Sequence, residues 1–169
     1  MPAVLSDHDI YTRSAPAKPS PVALTAADVG TLPEPRSAFQ RELVLRLAAS
    51  WVAANLEPLR NLPPNWDSYG ALPLDRRASD TAERLVTQLL MQGVLPPQFF
   101  PTPEGGISVE WHEDSVEFSI DIPPGARDVH GASVYFVDEP GGIEWDEPYG
   151  DVVGRVEEIL GRFLDRPDR

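Results

Sequence analysis

The chain has 169 residues and a formal net charge of −13, with 27 acidic and 14 basic side chains. This length is enough for one domain with its own hydrophobic core and an appendage. The chain has no cysteine, which excludes thiol catalysis, zinc–cysteine sites and disulfides. The excess of acid argues against direct binding to nucleic acid, because phosphate contacts require Lys and Arg.

The sequence shows no signal for secretion or membrane insertion. Its N-terminus lacks a basic start followed by an apolar run, and no segment approaches the length of a transmembrane helix. The absence of cysteine suits a reducing compartment, so we predict a cytoplasmic protein without a membrane partner. Lys18 is the only lysine, and this preference for Arg indicates a GC-rich bacterial genome.

Residues 1–36 contain six prolines among small and polar residues, without a sustained helical or alternating period. This composition predicts a disordered, flexible arm, because too few apolar residues are present to offset the entropy lost on ordering. The alternative is that residues 22–29 dock on the domain, with contacts from Leu24, Val29 and Leu32.

Two helices are predicted next, from residue 37 to about 56 and from 75 to about 93. Ser37 and Gln40 form a capping-box pattern before the first, and Asp75 is the predicted N-cap of the second, which Gly93 closes. The apolar stripe of the first helix is predicted at Phe39, Leu43, Leu47 and Trp51, with Val44, Ala48 and Val52 beside it. That of the second is predicted at Ala78, Ala82, Leu85, Val86 and Leu89.

The apolar period then changes from helical to alternating. Residues 107–111 and 116–122 predict a hairpin with Glu113 and Asp114 as a two-residue turn, which places Glu110 opposite Glu117. A second hairpin is predicted at 132–137 and 143–147, with Ile143 and Trp145 facing inward, and a last helix at 151–164. The prediction is one α+β domain over residues 37–166, in the order α-α-β-β-β-β-α. Its sheet is a four-stranded antiparallel meander covered on one face by helices.

The segment between the two helices reads N-W-D-S-Y-G-A, from Asn65 to Ala71. Gly70 can adopt positive φ, and Asp67 can accept hydrogen bonds from the turn backbone. We favour a structural loop in which Trp66 inserts into the core and Asp67 ties the turn. The alternative is a recognition loop with Trp66 and Tyr69 as contact anchors.

This loop, the helix after it and the P-x-G-G-I sequence from Pro103 to Ile107 form a longer pattern. It resembles a family of small uncharacterised bacterial proteins with a W-D-x-Y-G-A signature. The resemblance covers roughly the middle half of the chain and leaves out the proline-rich arm. It implies a common fold and brings no known activity.

The acidity is concentrated in residues 101–150, which contain twelve carboxylates and a single base, Arg127. Clustered like charge raises the free energy of the folded state unless a partner, a metal or salt compensates it. Strand alternation places some of these carboxylates on the sheet face away from the core. The predicted partner-binding residues are Glu110, Glu117, Asp121, Glu144 and Asp146.

The same acidic residues are also candidates for a catalytic or metal site. Glu110 opposite Glu117 is a pairing used by glycosidases and metal hydrolases, but an exposed sheet face without a positioned His or Arg does not suit catalysis. His112, Glu113 and Asp114 are adjacent potential ligands, yet their spacing matches no known zinc or calcium loop. We therefore expect no catalytic residues, no metal site and no cofactor.

The sequence thus predicts an acidic bacterial interaction or regulatory protein that binds a basic partner protein. A toxin or a nucleic-acid-handling enzyme would fit, in the manner of an antitoxin, an immunity protein or an adaptor. One alternative is a carboxylate-based metal-dependent enzyme or metal-binding regulator. Another is a short DNA mimic, although mimicry needs longer rows of acids than this sheet offers. The oligomeric state stays open.

Overall fold

The computed structural model describes residues 37–113 and 115–163, so the predicted arm, Asp114 and residues 164–169 lie outside the described residues. Within these described residues, three helices and five strands follow in the order α-α-β-β-β-β-β-α. The helices are α1 (Ala38–Arg60), α2 (Arg76–Met91) and α3 (Tyr149–Leu160). The strands are β1 (Gln98–Pro101), β2 (Ile107–Glu113), β3 (Val116–Ile122), β4 (Ser133–Asp138) and β5 (Ile143–Pro148).

The five strands form one antiparallel sheet in which each strand pairs with the next in sequence. Its ladder aligns Val109 with Ile120 and Ile120 with Val134, so apolar side chains of neighbouring strands meet on one face. The helices pack against this face, and Leu56, Val86 and Val156 join the strand residues in one buried core. The predicted α+β class, antiparallel meander and helical cover on one face are confirmed.

The predicted starts of α1 and α2 are also confirmed. The Ser37 hydroxyl accepts a 3.2 Å hydrogen bond from the backbone N–H of Gln40. Asp75 accepts from the backbone N–H groups of Arg77 and Ala78, at 2.9 and 3.1 Å. These bonds satisfy amide groups that have no partner inside their helices. Within the described residues, no helix is both long and apolar enough to cross a membrane.

The predicted strand count of four is one too low, because β1 was missed. Its sequence, Gln-Phe-Phe-Pro, does not alternate and ends in a proline. The strand is defined by its pairing with β2, where Phe99 lies opposite Val109. An edge strand tolerates Pro101 because only one of its sides takes part in the ladder.

The predicted register of β2 and β3 is wrong by two residues. Glu113 belongs to β2 and pairs with Val116, so Glu110 lies opposite Ser119 and Glu117 lies opposite His112. A shift of two residues keeps every apolar side chain on the core face, so alternation alone does not distinguish the two registers. The observed one also pairs Ile122 with Ile107, extending the ladder at its far end.

The predicted apolar stripe of α1 is only partly buried. Trp51, Val44, Ala48 and Val52 are buried, whereas Phe39 is 78% exposed and Leu43 and Leu47 are also exposed. Residues four apart on a helix are separated by about 40° around its axis, so the row from Phe39 rotates gradually and reaches the core only at Trp51. The helix also extends beyond the predicted residue 56, with Pro58 in its last turn.

The C-terminal hairpin and helix agree with the prediction except at their ends. Ile143 lies on the same side of the sheet as Trp145, as predicted, but it is exposed because it begins the edge strand β5. Trp145 faces the core side but is half-buried, between the ring of Phe136 and the guanidinium of Arg155. Helix α3 begins at Tyr149 rather than 151, and a 3₁₀ turn follows it up to Phe163, which is buried.

Candidate functional site

The sheet face opposite the helices is polar and rich in carboxylates. It carries the even-numbered residues of β2 and the odd-numbered residues of β3, because successive side chains of a strand point to opposite faces. We refer to this surface as the acidic sheet face. From β2 to β5 it includes Ser108, Glu110, His112, Glu117, Ser119, Asp121, Ser133, Tyr135, Val137, Glu144 and Asp146.

The ladder arranges this face in rows that cross the strands. One row contains Glu110, Ser119, Tyr135 and Asp146, in that order across β2 to β5. The next row towards the β2–β3 turn contains His112, Glu117, Val137 and Glu144, and the row on the other side contains Ser108, Asp121 and Ser133. All five carboxylates predicted from the sequence therefore lie on one surface.

Asp121 is a half-buried carboxylate at one end of the face. Burial raises the pKa of Asp121, a hydrogen bond with Ser108 opposes the shift, and the charges of Glu110 and Asp146 add to it. Ser108 and Ser119 are themselves buried, so small hydroxyl side chains form the floor beneath the acids. A cation placed here would stabilise the ionised form of Asp121, because opposite charge favours ionisation.

Tyr135 lies among the same carboxylates. Its hydroxyl donates a 3.2 Å hydrogen bond to Oε1 of Glu144. The pKa of Tyr135 is raised by burial, by this hydrogen bond and by the charges of Glu144, Glu117 and Asp146. The tyrosine therefore remains a neutral donor that holds one carboxylate in place on the face.

A cleft of about 650 Å³ opens at the Asp121 end of the face. Asp121 and Glu104 supply carboxylates to its lining, and His130 supplies an imidazole. Apolar walls come from Pro123, Pro124 and Pro148. Apolar walls beside carboxylates suit a long cationic side chain, whose methylene stem packs while its head group meets the acid.

The N-W-D-S-Y-G-A loop is tied by its own side chains. One oxygen of Asp67 accepts from the backbone N–H groups of Tyr69 and Ala71, at 2.8 and 3.0 Å. The side-chain oxygen of Asn65 accepts from the N–H of Gly70 at 2.7 Å. These backbone donors lower the pKa of Asp67. Asn65, Ser68 and Gly70 all have positive φ, so the side-chain bonds hold a backbone that is costly for non-glycine residues.

The expectation that Trp66 inserts into the core is wrong. Trp66 is half-buried and donates from Nε1 to the carbonyl of Leu72 at 3.1 Å. Tyr69 is 94% exposed, and Leu72 beside it is also exposed. The hydrogen bonds of the loop bend it back on itself, so its aromatic side chains are held at the surface. The predicted role of Asp67 in tying the turn agrees with these bonds.

The loop is joined to the turn between β1 and β2. Leu72 donates its backbone N–H to the carbonyl of Pro103, and Asp75 donates to that of Gly105, both at 2.8 Å. A Cβ on Gly105 would lie 2.8 Å from the carbonyl oxygen of Pro73, so glycine permits this approach. The same turn contributes Thr102 and Glu104 to the cleft. The loop, the cleft and the acidic sheet face are thus neighbours.

Sequence reasoning identified the acids of the site and missed its other members. The sequence signal for Tyr135 is its alternation with Val134 and Phe136, which places it on the polar face. His112 is adjacent to Glu113 and Asp114 in sequence, whereas the strand pairing places it beside Glu117. The cleft had no sequence signal, because it is formed by four separate segments.

No protein-family model matches the chain, and no curated protein or solved structure is significantly similar to it. The resemblance to the family with the W-D-x-Y-G-A signature stays a prediction.

Proposed function

We propose that this protein is an interaction or regulatory protein that binds a basic partner protein through the acidic sheet face. The observation that carries the proposal is the convergence of Glu110, Glu117, Asp121, Glu144 and Asp146 from three strands on the face opposite the helices. Carboxylates held this close repel one another. The attraction between these acids and a cationic partner offsets that repulsion.

The rigidity of the face supports recognition of a folded partner. Its carboxylates are carried by paired strands of one sheet, and Tyr135 and Ser108 bond two of them. Preorganised charges lose little conformational freedom on binding, so more of the electrostatic attraction remains as affinity. Asp121 would be a selective contact, because burial leaves its carboxylate only partly screened by water.

The proposal is tested with two variants of equal net charge. In the first, the five acids of the face become amides: Glu110→Gln, Glu117→Gln, Asp121→Asn, Glu144→Gln and Asp146→Asn. In the matched control, five exposed acids elsewhere are neutralised: Glu57→Gln, Glu139→Gln, Asp151→Asn, Glu157→Gln and Glu158→Gln. An arginine-rich peptide serves as the first probe, and proteins captured from the source cells are purified and measured in the same way.

We expect the face variant to lose at least about tenfold in affinity and most of the salt dependence of its association rate, whereas the control keeps both. Equal losses in the two variants would show a response to net charge alone and would contradict a defined site. A captured partner that is acidic, or that binds the face variant normally, would also contradict the proposal.

A second recognition element is favoured by the exposure of Tyr69. A tyrosine that is 94% exposed on a loop held by its own hydrogen bonds offers a large contact area at low entropic cost. Tyr69→Ala should weaken partner binding without changing the free energy of unfolding. Phe39→Ala, which removes an exposed aromatic from α1, is the control. Equal affinities of both variants and wild type would remove the loop from the binding surface.

A further inference from the structure

We infer that Glu110, His112 and Glu117 form a binding site for a first-row divalent metal ion such as Zn²⁺. One ligand atom from each side chain can be chosen so that all three lie within 4.8 Å of one another. Nε2 of His112 is 3.0 Å from Oε2 of Glu110. The three side chains therefore already converge on a common point above the sheet.

The strand pairing explains why this trio converges. His112 and Glu117 are directly opposite each other in the β2–β3 ladder, and Glu110 is two residues from His112 on the same face. Cross-strand neighbours have Cβ atoms about 5 Å apart, close enough for both side chains to bind one ion. A paired sheet fixes these positions, so metal binding requires side-chain rotation and no change of the backbone.

The donor set suits zinc and similar ions. One imidazole nitrogen and two carboxylate oxygens are ligands that Zn²⁺ binds at about 2.0 to 2.2 Å. Three protein ligands leave a further coordination position open to water or to a side chain of another molecule. The hard ions Ca²⁺ and Mg²⁺ favour sites made only of oxygen, so the imidazole selects against them.

The negative charge around the trio also favours binding of a divalent cation. Two of the three ligands carry negative charge, and Glu144 lies on the same row of the face as His112 and Glu117. A divalent cation would relieve the repulsion among these acids. Metal binding at this site does not require a partner protein, although two of its ligands, Glu110 and Glu117, are also among the five carboxylates of the proposed interaction surface.

The test is a calorimetric titration of the full chain with Zn²⁺, with Co²⁺ as an optical probe of the ligand field. His112→Gln and Glu117→Gln remove one ligand each. His130→Gln and Glu157→Gln are matched controls, because they remove an imidazole and a carboxylate from outside the trio, and Glu157 lies on α3 rather than on the acidic sheet face. All four side chains lie at the surface or are half-buried, so the melting temperature of each variant checks that its fold is retained.

We expect one Zn²⁺ per chain in wild type and in both controls. The affinity should fall at least about tenfold in Glu117→Gln and more in His112→Gln, and the imidazole NMR signals of His112 should shift at one equivalent. Undiminished affinity in His112→Gln would overturn the inference. It would also be overturned if Zn²⁺ shifted the signals of another histidine and left those of His112 unchanged.

Discussion

The backbone N–H of Leu72 donates a 2.8 Å hydrogen bond to the carbonyl oxygen of Pro103. This bond connects the N-W-D-S-Y-G-A loop to the P-x-G-G-I turn, two segments that are separated in sequence by α2 and β1. The pattern that distinguishes this sequence is therefore one structural unit. It holds the loop beside the end of the sheet where Asp121 and the cleft lie.

The first prediction concerns Gly105, which permits that contact. Gly105→Ala should destabilise the fold by about 1 to 3 kcal/mol, since the new Cβ would lie 2.8 Å from the carbonyl oxygen of Pro73 and the residue has a φ of +86°. The free energy of unfolding in urea measures this. Gly154→Ala is the control: its helical position is open, so it should stabilise by about 0.5 to 1 kcal/mol. Unchanged stability of Gly105→Ala would show that the loop and the turn are not tightly coupled.

The second prediction compares two aromatic residues of α1. Trp51 is buried and its ring centroid lies 6.1 Å from that of Phe99, so Trp51→Ala should cost about 3 to 5 kcal/mol. Phe39 is 78% exposed, so Phe39→Ala should change stability by no more than about 0.5 kcal/mol. Thermal and urea unfolding give both values. A large loss for Phe39→Ala would mean that this side chain is covered in the full protein.

The third prediction concerns Trp66. Full burial would make Trp66→Ala cost about 3 to 5 kcal/mol. Because the indole is half-buried and donates one hydrogen bond to Leu72, we expect a smaller cost of about 1 to 2 kcal/mol. Trp66→Phe, which keeps most of the ring and removes the donor, should lose about half of that amount. Equal stability of wild type and Trp66→Ala would leave this side chain with no structural role.

The sequence was sufficient for the parts of the fold that depend on local pattern. Helix starts follow from Ser37 and Asp75, and the apolar face of β3 follows from alternation at Phe118 and Ile120. The register of β2 against β3 did not follow, because two registers separated by two residues bury the same side chains. The surface position of Tyr69 could not be predicted either, since it depends on bonds within the loop and to Pro103.

In the candidate site, too, local pattern predicts some features, and the strand register decides others. The alternation of side chains along each strand places Glu110 and Asp121 on the outer face, whatever the register of the strands. The neighbours of each acid require the register, so the assumed pair of Glu110 with Glu117 was replaced by Glu117 with His112. Burial of Asp121 depends on the surrounding strands and loops, and no local pattern of residues indicates it.

The last prediction concerns the pH dependence of stability, for which two aspartates should give opposite results. The pKa of Asp121 is raised in the folded protein, chiefly by burial, so ionising this group opposes folding at neutral pH. Asn is neutral at every pH, so Asp121→Asn should be more stable than wild type at pH 7. That advantage should shrink as the pH falls through the folded-state pKa towards the ordinary aspartate value of about 3.9.

The pKa of Asp67 is instead lowered by the backbone N–H groups of Tyr69 and Ala71, so its ionised form stabilises the fold above about pH 4. Asp67→Asn should therefore be less stable than wild type at pH 7, and the two should converge as the pH falls below 4 through the folded-state pKa of Asp67. Urea unfolding of the three proteins between pH 7 and pH 3 measures both trends. A constant difference between Asp121→Asn and wild type over this range would show that the carboxylate is not desolvated on the acidic sheet face.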